Sequence, residues 1–336
     1  MASSQVISEP SPRKTVPTTF MFSTLTITGS KLPNPITLTR SEDFPPHKLD
    51  FDEDGYVPTM KWCPSQGPQG AGHLSLKMGK RISGGGGGVA YEAEVLTSDA
   101  EGSSVTPSDP SPLEQKLCIK VARANRCRTL AREAWMYRKL SGLRGIIAPH
   151  FYGFFAVDLP ETHRPFPPKD DLVRLERDDP TVDEFLPDDD PVDGQGGRDR
   201  SKWCEWRPNT DAPILAVLVM SRGGKTYSGR DHYDSSMREE VRKVLDDLSR
   251  ASLLHGDLRP ANLVRAPADT IPCDLHQCVH KWNVIDLARS DAVDIPVDNA
   301  LYSKPDRTPE EEMNVRTWSF FVDLQQSGYK TEHFAL

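Results

Sequence analysis

Leu74, Leu76 and Met78 alternate with polar residues, the period-two pattern of a strand with one buried face. A run of five glycines follows, and Ala90–Val95 reads as a second strand. Leu117, Ile119 and Val121 mark a third. From about Arg128 to Leu140 the apolar spacing becomes helical, with Gly142 as a C-terminal cap. Two more strands are predicted at Ala148–Val157 and Ile214–Met220. Ser236-Met-Arg-Glu239 reads as a capping box, and Met237, Val241, Val244, Leu245 and Leu248 share one helical face behind it. Short strand-like pieces follow at Asn262–Arg265 and Trp282–Ile285. A last helix opens on Thr308-Pro-Glu-Glu311, its stripe being Met313, Phe320, Phe321 and Leu324. Five strands with one helix, then helices around a short hairpin, predict a two-lobed α+β chain.

The stretches between these elements differ in composition. Residues 1–55 are rich in Ser, Thr and Pro and read as a mobile leader, although Phe20-Met-Phe-Ser-Thr-Leu-Thr-Ile27 alternates enough to hint at a strand. Residues 97–112 read as a long loop. Residues 158–211 hold 16 acidic and 8 basic side chains, which accounts for the whole formal charge of −8 of the 336-residue chain. This segment, with Asp188-Asp189-Asp190 and Gly194-Gln195-Gly196-Gly197, is expected to be a largely disordered surface insertion. The alternative is an acidic docking site for a basic partner. The predicted units are therefore the leader 1–55, a first lobe 56–224 carrying both insertions, and a second lobe 225–336.

Lys and Arg number 41 against 49 Asp and Glu, so a nucleic-acid-coating protein is not expected. The longest apolar run, near Pro213–Met220, is too short to span a bilayer, and Met1–Thr15 has no apolar core of a signal peptide. Six cysteines without paired spacing argue for a reducing compartment. A cytoplasmic or nuclear protein with no membrane partner is expected.

The chemistry concentrates in Leu253-Leu-His-Gly-Asp-Leu-Arg-Pro-Ala-Asn-Leu-Val264. An Asp, a cation and an amide stand there at offsets 0, +2 and +5 (Asp257, Arg259, Asn262), and Asn283-Val-Ile-Asp-Leu-Ala288 ends a short apolar run on Asp286. Phosphoryl transfer from a nucleotide needs such parts: a carboxylate to orient the attacking hydroxyl, a cation against the moving phosphoryl group, and hard oxygen ligands for Mg²⁺. The sequence at this point resembles the protein kinase superfamily. His255-Gly-Asp257 with Asn262 is similar to the His-Arg-Asp catalytic loop, and Asp286-Leu-Ala288 to the metal-binding Asp-Phe-Gly triplet. The resemblance implies Asp257 as base, Arg259 as the phosphate-contacting cation, and Asn262 and Asp286 as Mg²⁺ ligands.

The first half supplies further parts in matching order. Arg81-Ile-Ser-Gly-Gly-Gly-Gly-Gly-Val-Ala-Tyr-Glu-Ala93 lies between two predicted strands, as a nucleotide-covering loop would. Alignment on Ala90–Ala93 puts Gly85 and Gly88 on the second and third glycines of the kinase loop, with Ser83 in place of the first and Gly86 between them; a flexible linker is the plain alternative. Leu117-Cys-Ile-Lys-Val121 resembles the third kinase strand, with Lys120 on the face of Cys118 and Ala122, and aimed at phosphates rather than snorkelling. Glu133 sits amid Leu130, Tyr137 and Leu140, where a carboxylate is costly unless paired, so a Lys120–Glu133 ion pair is expected. Ile214–Gly224 resembles the fifth strand and hinge: Met220 behind an adenine pocket, and backbone groups of Ser221, Arg222 and Gly223 facing the adenine edge.

Three departures from the kinase pattern stand out: Gly256 for arginine, Ala288 for glycine, and only 48 residues after Ala288 without an Ala-Pro-Glu motif. The His-Gly-Asp form is closer to atypical, small-molecule and fungal kinase-like branches. The fold implied is protein-kinase-like and two-lobed: a five-stranded antiparallel sheet with one helix, and a reduced, mainly helical second lobe. The function implied is ATP- and Mg²⁺-dependent phosphotransfer of the protein Ser/Thr kinase kind, from nucleotide to a hydroxyl. The alternatives are a pseudokinase or interaction module that binds nucleotide without turnover, and a small-molecule kinase with a small hydroxylated acceptor. Cys273, His276, Cys278 and His280 invite a zinc reading, but their spacing fits no common structural site and a polar hairpin loop is preferred. Trp203-Cys-Glu-Trp206 reads as a small packing anchor.

Overall fold

Threonines alternating with Phe22, Leu25 and Ile27, and with Ile36 and Leu38, give two short amphipathic strands whose β-branched polar face suits a pleated sheet. They close the structure. The computed structural model describes residues 22–52, 55–59, 71–99, 116–140, 142–174, 179, 181–186, 189, 198–251, 253–268 and 270–292. The last predicted helix, with Met313 to Leu324, lies outside them, as does most of the 97–112 loop beyond Asp99.

Strands β1 (Phe22–Thr28), β2 (Ile36–Arg40), β5 (Gly72–Gly84), β6 (Gly88–Asp99), β7 (Leu117–Ala122), β8 (Phe151–Asp158) and β9 (Ile214–Ser221) form a closed barrel in the order β1-β2-β8-β9-β7-β6-β5. β3 (Lys48–Asp52) and β4 (Gly55–Thr59) make a separate hairpin. Closure comes from a parallel pairing of β1 with β5, which sets Leu25 beside Leu74 and Ile27 beside Leu76. All other barrel pairs are antiparallel.

This overturns the expected architecture. The sheet is a closed seven-stranded barrel rather than an open five-stranded one, and the described residues hold only three α-helices, so the two-lobed kinase-like layout is not what they form. The two extra strands come from residues 22–40, assigned above to a mobile leader. Their inward side chains Phe22, Leu25, Ile27 and Leu38 are fully buried against Leu74, Tyr91, Ile119 and Val217. Burial of that apolar face outweighs the loop-like composition of the segment.

β9 shows how the barrel meets the rest of the chain. Leu215, Val217 and Val219 point into the barrel, whereas Ala216, Leu218 and Met220 join an outer core with α1 (Cys127–Lys139). Both faces of the strand are therefore apolar, which is why the run is unbroken in sequence. α2 (Gly229–Tyr233) and α3 (Ser235–Arg250) follow, with Val241, Val244, Leu245 and Leu248 of α3 in the outer core. The expected capping box at Ser236 is not formed. Asp234 Oδ1 accepts from both the Ser236 N–H and its hydroxyl at 2.8 Å, so Asp234 caps α3, and the capping box instead joins Ser228 and Asp231 at α2. Two small ladders complete the described residues: β10 (Leu253–Leu254) with β13 (Asp291–Ala292), and β11 (Leu263–Arg265) with β12 (Trp282–Val284).

The acidic segment is anchored at several described points. Asp171 accepts from Tyr91 Oη at 2.7 Å and from Lys31, while its carbonyl accepts from Arg81 Nε at 2.9 Å. Arg128 binds Asp183 and Asp189, each at 2.6 Å. Trp203 is buried against Phe154 and donates to the Glu42 carbonyl at 2.9 Å. Asp171, Asp183 and Asp189 thus have cations of the same chain, while much of the rest of the described segment, Val182 and Phe185 included, is exposed.

Candidate functional site

Lys120 stands on β7 with its side chain on the outer face of the barrel, beneath α1. Its cross-strand partners on that face are Ala90 of β6 and Leu218 of β9. Nζ donates to Glu133 Oε2 at 2.6 Å and to Asp286 Oδ1 at 2.7 Å. Glu133 is supplied by α1 and is 1% exposed. Asp286 leads from β12 into a tight turn, with backbone angles in the left-handed region (φ 64°) that an Asp side chain tolerates better than most.

The three charges shape one another. Burial lowers the Lys120 pKa, but the charges of Asp286 and Glu133 outweigh it and hold the ammonium above its ordinary range. The Lys120 charge pulls the Asp286 carboxyl below its ordinary range. Glu133 goes the other way: burial pushes it up to about 7, its cation being shared with Asp286 and its Oε1 buried without a hydrogen-bond partner.

The loop after β10 lies alongside. The β11–β12 register pairs Leu263 with Val284, and the Ile285 N–H continues it by donating to the Asn262 carbonyl at 2.9 Å. Asn262 therefore lies next to Asp286. Its Nδ2 donates to the Asp257 carbonyl at 2.8 Å and approaches Asp257 Oδ2 at 3.4 Å. The amide oxygen is the atom left for another ligand. Arg259 Nη2 lies 3.5 Å from Asp257 Oδ2, and both side chains are partly exposed. His255 braces the loop from below: its Nε2 bonds the Ile285 carbonyl at 3.0 Å, and the Asp257 N–H donates to its Nδ1 at 3.4 Å. Burial lowers the His255 pKa, which keeps the ring neutral as this pair of contacts requires.

Among the glycines the structure discriminates. A Cβ on Gly88 would fall 2.2 Å from the Val121 carbonyl, so packing requires glycine there. At Gly85, Gly86 and Gly87 a Cβ would meet nothing within 4 Å. Ser83 pairs with Ala90 within the ladder and takes no part in the turn itself. Arg123 reaches back to this turn, its Nε donating to the Gly85 carbonyl at 3.3 Å. At the other end of β7, Met220 is buried in the outer core opposite Cys118. The Ser221 N–H donates to the His150 carbonyl at 2.8 Å, and the Arg222 N–H to the Lys116 carbonyl at 2.7 Å. Those two donors are committed within the protein and the Ser221 carbonyl accepts from the Cys118 thiol at 3.9 Å, which leaves Gly223 for any edge contact. Gly223 itself is packed tightly, a Cβ there falling 2.5 Å from Val264 Cγ2.

Two further residues hold the site together: Arg132, which the sequence pattern did not single out, and Gly256, which it marked only as a departure from the kinase motif. Arg132, fully buried in α1 beside Glu133, donates to the Ala288 carbonyl and lies 3.3 Å from Asp291 Oδ1. It fixes the turn after Asp286 to the helix that carries Glu133. The available signal was its place in Leu130-Ala-Arg-Glu-Ala-Trp135, beside the carboxylate expected to face inward. Gly256 adopts φ 68° directly against the Arg289 backbone, where no side chain fits.

No protein-family profile matches this chain, and no curated protein matches it. Among solved structures, the crystal structure of the BubR1 kinase domain aligns over 73% of this chain and 55% of its own, with a TM-score of 0.34 and 12% identity. This chain thus spans about half the length of that kinase domain. Among the described residues no helix is long and apolar enough to cross a membrane.

Proposed function

We propose that this chain binds a magnesium nucleotide, ATP in the simplest case, at the Lys120–Asp286 site and transfers its terminal phosphoryl group to a hydroxyl. The observation that carries the reading is the position of Lys120: one ammonium held at 2.6 and 2.7 Å between two carboxylates from distant segments. A cation fixed in this way is preorganised to meet phosphate oxygens, which makes electrostatic rather than covalent chemistry the natural use of the site.

In this reading Glu133 orients Lys120 and Lys120 binds nucleotide phosphates. Asn262, through its amide oxygen, and Asp286, through the oxygen not engaged by Lys120, would hold Mg²⁺; both are hard oxygen donors of the kind that ion takes. Bound Mg²⁺ supplies neutralisation of phosphate charge. Asp257 accepts the proton of the acceptor hydroxyl, and Asn262 holds that carboxylate in place. Arg259, beside Asp257 and partly exposed, offsets charge on the transferring group. The open space over Gly85–Gly87 leaves room for phosphates against bare backbone. The acceptor is a protein Ser/Thr or a small hydroxylated molecule.

A second reading, nucleotide binding without turnover, is favoured by Gly256 and Ala288 standing where the kinase motifs have arginine and glycine. The deciding experiment for the site is a Mg²⁺-dependent thermal shift with ATP, run on wild type and on Lys120→Ala. Stabilisation of wild type that vanishes in the variant is expected; equal shifts in both remove the nucleotide from this site. Turnover in the presence of candidate acceptors then separates the two readings.

A further inference from the structure

The loop between β11 and β12 carries Cys273, His276 and His280, and it folds back onto the last turns of α3, where Asp247 is 3% exposed. One ligand atom from each of these four residues lies within 4.8 Å of the other three. Cys273 Sγ is 3.1 Å from Asp247 Oδ2 and 3.6 Å from His276 Nδ1. Asp247 Oδ2 lies 3.5 Å from His276 Nδ1 and 2.8 Å from His280 Nε2. Tetrahedral zinc, with bonds of about 2.0–2.1 Å to N or O and about 2.3 Å to sulfur, requires donor–donor edges of about 3.3 Å and, to sulfur, about 3.5 Å. The Cys273–His276 edge of 3.6 Å and the Asp247–His276 edge of 3.5 Å match those lengths, the two from Asp247 to Cys273 (3.1 Å) and His280 (2.8 Å) are shorter by about half an ångström, and the remaining two lie within 4.8 Å.

We propose that Asp247, Cys273, His276 and His280 form a structural zinc site. Two neutral imidazoles with a carboxylate and a thiolate balance the charge of Zn²⁺, and binding releases the Cys273 thiol proton to solvent. The mixed nitrogen, sulfur and oxygen set suits zinc better than magnesium or calcium. With four protein ligands, three of them buried, no position is left open for a substrate, so the site is structural rather than catalytic. It replaces Cys278 of the spacing-based quartet by Asp247. Cys278 faces Cys273 only through the backbone, its carbonyl accepting the Cys273 N–H at 2.8 Å. Zinc here would staple to α3 the loop whose flanking strands lead to Asn262 and Asp286. The inference does not depend on the nucleotide reading.

The test uses the full chain purified without chelator, loaded with Zn²⁺ and desalted. Elemental analysis is expected to find one zinc per chain. Exchange with Co²⁺ is expected to give the visible bands of tetrahedral cobalt together with a sulfur-to-cobalt charge-transfer band. Cys273→Ser should lose that band and the zinc, and Cys278→Ser should keep both. The proposal is overturned if the loaded wild type retains no zinc, if its cobalt spectrum is octahedral or lacks the sulfur band, or if Cys278→Ser rather than Cys273→Ser loses it. The wild-type cobalt spectrum reads the ligand set without any substitution, so a variant that fails to fold does not remove the test.

Discussion

The Cβ that Gly256 lacks would lie 2.1 Å from the carbonyl oxygen of Arg289. Gly256 separates His255 from Asp257, and Arg289 follows the turn that Asp286 opens, so this contact sets how closely the two acidic segments approach. With φ at 68°, the position also disfavours any side chain on conformational grounds. Gly256 is thus a packing requirement of this chain, beyond its being a departure from the His-Arg-Asp pattern. Gly256→Ala, and more so Gly256→Arg, is expected to destabilise by at least about 1–3 kcal/mol. Urea unfolding measures it; a Gly256→Arg chain as stable as wild type would contradict the contact.

Asp257 is the group most exposed to a kinetic test. Asp257→Asn keeps its size and removes its basicity. Phosphoryl transfer should fall by about 10²–10⁴-fold, while the Mg²⁺-ATP thermal shift changes little. Unchanged transfer would show that the proton goes elsewhere.

Glu133 predicts a pH dependence. Its carboxyl is pushed up to about 7, so it takes on a proton as the pH falls through that value and ceases to hold Lys120 as an ion pair. Nucleotide affinity should therefore weaken on the acid side of about pH 7, and Glu133→Gln should flatten that limb. The sign for stability is opposite. The folded state favours the protonated carboxyl, so this group's contribution to stability is present at low pH and declines as pH rises from its ordinary 4.5 toward about 7. A Kd series by calorimetry from pH 5.5 to 8.5 checks the first, and an acid limb that survives in Glu133→Gln would refute it.

Arg132 gives a test of how α1 is coupled to the Asp286 turn. Arg132→Ala leaves the Ala288 carbonyl without that donor and Asp291 without that cation, at a cost of about 1–3 kcal/mol. Hydrogen exchange at residues 286–292 should accelerate in the variant more than exchange in the barrel. Uniform acceleration would instead mean a purely global effect.

Barrel closure is tested at Leu25, which is fully buried beside Leu74. Leu25→Ala is expected to cost about 2–5 kcal/mol. A negligible effect would return residues 22–40 to the status of a detachable leader.

How far the sequence carried can be judged from particular residues. β8 and β9 stood out as nearly unbroken apolar runs because both of their faces are buried, whereas alternation marked β5, β6 and β7, which keep one face in the barrel. β1 and β2 carry the same mark more weakly: their polar positions are threonines in a Ser/Thr/Pro-rich segment, so composition pointed to a leader while pairing decided for strands. The spacing of Asp257 and Asn262 placed both in one tight loop, since five residues cannot carry them far apart. Lys120 and Glu133, thirteen residues apart, were matched because a buried carboxylate needs a cation.

What the chain determined by itself was the identity of its chemical groups and their local geometry, for these follow from side-chain type, backbone period and short-range spacing. Tertiary structure alone decided the closure of the barrel through the parallel β1–β5 edge, the meeting of Lys120 with Asp286 across 166 residues, and the choice of Asp247 over Cys278 beside the histidines. Each of these joins segments far apart in sequence. Such a contact is fixed by which apolar faces bury together, and no local pattern of residues encodes that.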